Sequence, residues 1–283
     1  MTVRSDKTVE GIKKVAAIND LSGFCRCSLT AAIPIISAMG LHCCPFPTAV
    51  LSNHTGYDSF FFDDYTDKME EYWQQWKNHD LKFDSIYTGF LGSVKQIDIV
   101  MSFIKYFKTN ENIVLIDPVM GDGGKIYSTY SKKLCSEMKK LVSLADVITP
   151  NVTECCLLSD TEYTGEEISL SDAKNMCQKI GGAKKIVVTG IRNKENIINY
   201  IYDSITKEEN YTVTKNTGEY YDGTGDVFAS VLCGYLTYKE DILSAVKKAA
   251  DFVEKSVRVS SHCGISHKEG IAFEKCIADL IRN

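Results

Sequence analysis

The sequence predicts an α/β fold in which a mainly parallel sheet is covered by helices on both faces. Short apolar runs alternate with amphipathic stretches almost from end to end, the pattern of βαβ crossovers, whose strands are buried on both sides. The chain has 283 residues with 44% apolar content, enough to bury a sizeable core in one large α/β domain or two small ones. No internal repeat, low-complexity segment or linker breaks it, so residues 1–283 read as one domain.

The elements follow in order. "KKVAAIND" (13–20) reads as a buried strand. A helix follows over 28–40, with Leu29, Ile33, Ile36 and Met39 on one face and Gly40 at its end. "CCPFPTAVLS" (43–52) reads as a second strand, and helical spacing over 67–79 carries Met69, Tyr72, Trp73 and Trp76. The pattern continues with a strand at 83–89, a helix at 93–107, a strand at 112–119 and a helix at 131–145. Next come a strand at 146–151, helices at 153–159 and 171–182, and a strand at 184–190. Two polar-alternating strands, 196–203 and 210–216, predict an antiparallel edge, and the chain beyond is largely helical over 225–236 and 240–260.

Composition narrows the function. Charged residues make up 24% and the net charge is −5, with Lys and Arg spread along the chain. This argues against a general nucleic-acid binder but leaves a phosphorylated small molecule open, since a few local donors can hold one. The eleven cysteines are odd in number, and the N-terminus "MTVRSDKTVEGIKK" has no apolar signal core. A cytoplasmic protein with reduced thiols is therefore expected. No cysteines form a C-x-x-C, so no zinc site is expected. No apolar run reaches the ~18 residues of a membrane span.

In such sheets ligands bind outside the carboxyl ends of the strands. The polar residues there are Asn19, Asp20, Thr88, Gly89, Asp117, Thr149 to Asn151, Thr189 and the turn 223–226. Neither common nucleotide loop is present. "GDGGKIY" (121–127) resembles a Walker A loop but has Val119 for the first glycine and no Ser or Thr after Lys125; Gly223 and Gly225 begin a G-x-G-x-x-G whose last position is Phe228. "DGTGDVFAS" (222–230) supports two readings. Gly223, Thr224 and Gly225 could form an ordinary turn, with Asp226 a favourable charge in a helix first turn. Alternatively, the glycines and free helix N–H groups form an anion hole, and Asp226 accepts a proton from an attacking hydroxyl.

"IDPVMGDGG" (116–124) sets Asp117 and Asp122 on a loop after a strand, where they could hold Mg²⁺ or a monovalent cation beside phosphates or be ordinary turn carboxylates. In "ITPNVTE" (148–154), Asn151 or Thr153 would cap the next helix with Glu154 in its first turn, which leaves Thr149, Asn151 and Glu154 free to meet a cation or phosphate. Thr189 adds a hydroxyl at a strand end.

These three motifs stand in the order found in the ribokinase-like superfamily. With "PTAVLSNHTGY" (47–57) and "YTGFLGS" (87–93) the chain resembles the pyridoxal kinases, and "INDLSGFCRCSLTAAIPIISAMG" is similar to the bacterial pyridoxal/pyridoxamine type. The likeness covers nearly the whole chain. It implies a three-layer α/β/α fold, a homodimer, and transfer of phosphate from MgATP, with a monovalent cation such as K⁺, to the 5′-hydroxymethyl of vitamin B6. It implies Asp226 as catalytic base and Gly223, Thr224 and Gly225 as the anion hole. Asp117, Asp122, Thr149 and Glu154 match cation-site positions, and Asn151 and Thr189 match nucleotide contacts. Asp20, Thr55 and Phe90 match positions around the substrate ring. Two positions depart from the family: several relatives have serine at the Asp20 position, and many have tyrosine at the Phe90 position.

Hydroxymethylpyrimidine kinase, on the same fold, is the competing assignment. Those enzymes typically carry cysteine at the position of Asp226, and their N-terminal glycine loop matches "LSGFCRCSL" only in part. A non-catalytic B6-binding protein is the alternative from another class. It would be expected to have lost Asp226, an anion-hole glycine or Asp117, and all are present.

Overall fold

The computed structural model describes residues 11–282. Residues 1–10, on which the expected lack of a signal core partly rests, lie outside the described residues. β1 (Lys14–Phe24) leads through α1 (Ser28–Ala38) to β2 (His42–Asn53), its parallel neighbour. β3 (Phe62–Asp64) turns back antiparallel on β2 and closes one edge. After α2 (Thr66–Asn78) the chain crosses β1 to β4 (Ser85–Thr88), then passes through α3 (Val94–Phe107) to β5 (Ile113–Ile116). A small hairpin, β6 (Gly121–Asp122) with β7 (Lys125–Ile126), stands outside the sheet.

α4 (Lys132–Val142) and β8 (Val147–Ile148) follow, then α5 (Val152–Ser159), α6 (Leu170–Lys179) and β9 (Lys185–Asn193). β10 (Asn196–Asp203) and β11 (Glu209–Lys215) form the expected antiparallel edge. α7 (Thr224–Thr237), α8 (Ile242–His262) and three short 3-10 turns between His267 and Leu280 complete the chain. The nine-stranded sheet runs β11-β10-β9-β8-β5-β4-β1-β2-β3.

Alternation along each strand divides the core into two layers. Ala16, Ile18, Val114, Ile116, Ile186 and Val188 pack with the apolar faces of α2 to α6; Val15, Ala17, Leu115 and Val187 pack with α1, α7 and α8. Strands buried on both sides therefore read as continuous apolar runs, and the result is the three-layer α/β/α sandwich. Among the described residues no helix is long and apolar enough to cross a membrane.

The structure departs from the sequence reading at the strand ends. β1 pairs with β4 only as far as Ile18–Thr88, yet its pairing with β2 continues to Phe24–Asn53 after a register shift between Asn19 and Leu21. Both strands thus overhang the carboxyl end of the sheet as a ribbon. Asp20 and Ser22 are polar, so an apolar-run criterion ends the strand too early. β8 is shorter than the predicted 146–151 because Pro150 has no N–H to extend the ladder.

Gln96, fully buried at the start of α3, ties the ribbon's base to the sheet. Its Nε2 donates to the Thr48 carbonyl and to Thr66 Oγ1, both at 2.8 Å, and its Oε1 accepts from Gly92 N at 2.8 Å. Thr48 Oγ1 in turn donates to the Phe90 carbonyl at 2.9 Å. Gln96→Leu leaves the half-buried Gly92 N–H without its partner and takes one of two donors from the Thr48 carbonyl, which keeps the Tyr65 N–H at 3.1 Å, and should lower stability by about 1–3 kcal/mol. The shift in urea midpoint would measure it; an unchanged midpoint would show that water replaces the amide.

Candidate active site

A line of backbone hydrogen bonds runs across the carboxyl ends of the parallel strands. Gly89 N donates to the Ile18 carbonyl and Asp117 N to the Thr88 carbonyl, both at 2.8 Å. Thr149 N donates to Ile116 O at 3.2 Å and Thr189 N to Pro150 O at 2.9 Å. This brings Asn19, Gly89, Asp117, Thr149 and Thr189 to one rim, as the strand-end argument predicts.

Above the rim stands the start of α7. Its N-cap, Gly223, has φ 75, and a Cβ there would lie 2.3 Å from the Arg26 carbonyl oxygen, so only glycine fits. The helix begins at Thr224, one residue before the expected start, and its first-turn N–H groups have no intrahelical acceptors. Gly223, Thr224, Gly225 and Asp226 all line a cavity of about 300 Å³ together with Asp117, Thr149, Asn151 and Thr189. A second cavity, of about 530 Å³, is lined by Asp20, Thr55, Phe90 and the β6–β7 hairpin. Gly223 and Asp226 line both cavities.

Asp226 Oδ1 accepts from Asn19 Nδ2 at 3.1 Å. Burial pushes its carboxyl up to about 6; the Ser28 backbone N–H opposes this, and the charge of Asp20 reinforces it. Asp20 is buried and accepts from Ser28 Oγ at 2.6 Å and Ser22 Oγ at 2.7 Å. Burial raises its pKa, and the two hydroxyls pull it back.

Asp117 is buried and accepts from Thr149 Oγ1 at 3.1 Å. Burial holds it well above the usual carboxylate range, and the charges of Glu154 and Asp226 add to that. Its Oδ2 faces α7, 3.9 Å from where a Cβ on Gly225 would stand.

Asn151 is the N-cap of α5 and forms a capping box with Glu154. The polar atoms of both side chains are engaged. Asn151 Oδ1 accepts from Glu154 N and its Nδ2 donates to Gly121 O, while Glu154 accepts from Asn151 N and Met120 N. Burial pushes Glu154 up to about 7, against those backbone bonds. Asp122 accepts from Tyr220 OH at 2.7 Å and from Gly123 N at 2.8 Å. Residues 121–126 form the β6–β7 hairpin, whose turn glycines Gly123 and Gly124 have φ 55 and 77, as a two-residue turn of this kind requires.

Among the described residues, no group of three or more His, Cys, Asp or Glu side chains could hold a metal ion alone. The donors near Asp117 are nevertheless hard oxygens. Mg²⁺ is commonly held by one or two carboxylates completed by substrate phosphates, and buried Asp117, whose neighbours Glu154 and Asp226 are also acidic, fits such a cation.

Sequence reasoning missed Ser22 and Ser28, which hold Asp20, and the bond from Asn19 to Asp226. Ser22 was within reach, since two residues apart on one strand share a face. It also missed His54, whose Nε2 lies 2.8 Å from the Lys268 carbonyl oxygen and 3.5 Å from Asp222.

The model of the phosphomethylpyrimidine kinase family matches residues 29–271. The chain belongs to this family. A hydroxymethylpyrimidine/phosphomethylpyrimidine kinase of Aquifex aeolicus is 33% identical over 65% of this chain and 71% of its own length. A pyridoxal kinase of Arabidopsis thaliana is 26% identical over 81% and 76%. The crystal structure of a Bacteroides thetaiotaomicron chain assigned to the phosphomethylpyrimidine kinases superposes with TM-score 0.91 at 37% identity, covering 98% of this chain and 96% of that one. A second crystal form of that chain contains pyridoxal and superposes with TM-score 0.90. This protein is thus a phosphotransferase of the pyridoxal and hydroxymethylpyrimidine kinase group with a ribokinase-like fold.

In this kinase Gly223→Ala would force a side chain into the left-handed region, at roughly 1–2 kcal/mol, and against the Arg26 carbonyl. Its melting temperature should fall by several degrees and its phosphotransferase activity should drop. Wild-type values for both would show that the N-cap of α7 tolerates a Cβ.

Proposed function

We propose that this kinase transfers the γ-phosphoryl of ATP to the 5′-hydroxymethyl group of a vitamin B6 vitamer: pyridoxal, pyridoxamine or pyridoxine. The observation that carries the reading is the shared wall of the two cavities: of its four carboxylates, Asp122, Glu166, Asp222 and Asp226, the last stands in the first turn of α7, beside the N-cap Gly223 that also meets both. The related Bacteroides thetaiotaomicron structure with pyridoxal supports the B6 choice.

In this reading the nucleotide lies in the cavity of Asn151 and Thr189, with its phosphates at Gly223 to Gly225. The vitamer lies in the other, oriented by Asp20 and Thr55 against the ring face of Phe90. Asp226, ionised above about pH 6, takes the proton of the acceptor hydroxyl. The first-turn N–H groups of α7 stabilise charge on the transferring group. Mg²⁺ and a monovalent cation such as K⁺, held near Asp117, Asp122, Thr149 and Glu154, supply positive charge against the phosphate oxygens. For Glu154 this means sharing a carboxylate that already accepts two backbone bonds. We further propose that the chain acts as one domain, in a homodimer, in the cytoplasm.

Phosphorylation of hydroxymethylpyrimidine is the second reading, favoured by the family match and the Aquifex aeolicus relative. ATP turnover with the three vitamers and hydroxymethylpyrimidine, side by side with Mg²⁺ and K⁺, separates the two. A B6 preference is expected; a pyrimidine preference would keep the chemistry and replace the substrate.

Asp226→Asn should lower kcat about 10²–10⁴-fold with ATP binding retained. Since the ionised form is the base, kcat/KM of the native enzyme should fall on the acid side of about pH 6. Near-normal turnover of the variant would remove Asp226 as the base.

A further inference from the structure

Asn19 lies fully buried on β1 at the register shift, and its side-chain amide has one orientation. Its Oδ1 accepts two backbone N–H bonds, from Phe90 at 2.8 Å and from Asp20 at 3.0 Å. An amide NH₂ cannot accept, so the oxygen is fixed on that side and Nδ2 is turned the other way. There it donates to Asp226 Oδ1 at 3.1 Å, across 207 residues of sequence.

Gly89 makes room for this contact. A Cβ at Gly89 would lie 2.3 Å from Asn19 Nδ2 and 2.6 Å from its Cγ. The amide has no easy way to yield, because moving it would break the bonds at Oδ1.

We infer that Asn19 is a positioning residue for phosphoryl transfer. Clamped by the Phe90 and Asp20 amides and given room by Gly89, it holds Asp226 Oδ1 and, with the Ser28 N–H on the same carboxylate, fixes the rotamer in which the carboxylate meets the acceptor's proton. The same amide joins the base to two residues of the acceptor cavity, Asp20 and Phe90, so acceptor and base keep one alignment. This rests on Asp226 being the base.

Two variants test it. Asn19→Asp keeps an oxygen for both backbone donors but places a second oxygen against Asp226. Gly89→Ala leaves Asn19 chemically intact and pushes its amide aside. Each should lose about a hundredfold in kcat, the scale of a misplacement near 1 Å. KM for the preferred acceptor and the Kd for ATP should stay within about threefold, as expected when only transition-state interactions are lost. In the Asp226→Asn background, Asn19→Asp should cost less than about threefold more, because the two residues act as one unit.

A kcat within about threefold of wild type in Asn19→Asp, with Asp226→Asn inactive, would overturn the inference while sparing the base. Parallel losses of kcat, ATP affinity and melting temperature in both variants would overturn it in favour of a purely structural amide. An active Asp226→Asn would overturn the base assignment, and this inference with it.

Discussion

The register of the parallel ladder is the constraint on which the rest of the molecule depends. Because Gly89, Asp117, Thr149 and Thr189 each continue or extend the hydrogen-bonded line at the strand ends, residues scattered over much of the chain are held at one height. α7 is then set against that line by a close approach, Gly223 lying against the Arg26 carbonyl. Side chains finish the geometry but do not create it. Thr149 can reach Asp117 because the ladder has already brought their backbones level, and Asn19 can reach Asp226 because α7 is set against that ladder.

The site is assembled against an electrostatic gradient. Asp20, Asp117 and Glu154 are buried, Asp226 is half-buried, and burial raises the pKa of all four. For Asp226, the rise from 3.8 to about 6 corresponds to roughly 3 kcal/mol of folding free energy opposed at neutral pH. That penalty fades as pH falls through the same window, because protonation removes the buried charge. Local hydrogen bonds offset part of it: two serine hydroxyls at Asp20, one threonine at Asp117 and two backbone amides at Glu154. The large two-layer core provides the remaining stability.

Much of the fold was legible because strands buried on both faces cannot avoid being apolar. The alternating strand at 196–203 matches β10 at both ends. The cap of α5 was legible to within two residues, Asn151 or Thr153, because capping depends on local chemistry; the structure chooses Asn151 and adds the reciprocal bond from Glu154. The ribbon was not, since its buried residues include the polar Asp20 and Ser22, bonded to each other and, through Asp20, to Ser28 of α1. β3 and the β6–β7 hairpin are too short to show a period. Within the site, Gly223 and Asp226 could be singled out because helix N-termini have recognisable demands. The bond from Asn19 to Asp226 could not, because it depends on an amide orientation set by two backbone groups.

The wall common to the two cavities also has a stereochemical consequence. With the donor and acceptor sites meeting at Gly223 and Asp226, the proposed reaction needs no covalent phospho-enzyme to carry the group between separate stations. The phosphorus undergoes a single in-line displacement, entering oxygen opposite leaving oxygen. Its configuration inverts once per turnover, so a chiral label on the γ-phosphate of the nucleotide emerges as its mirror form in the product.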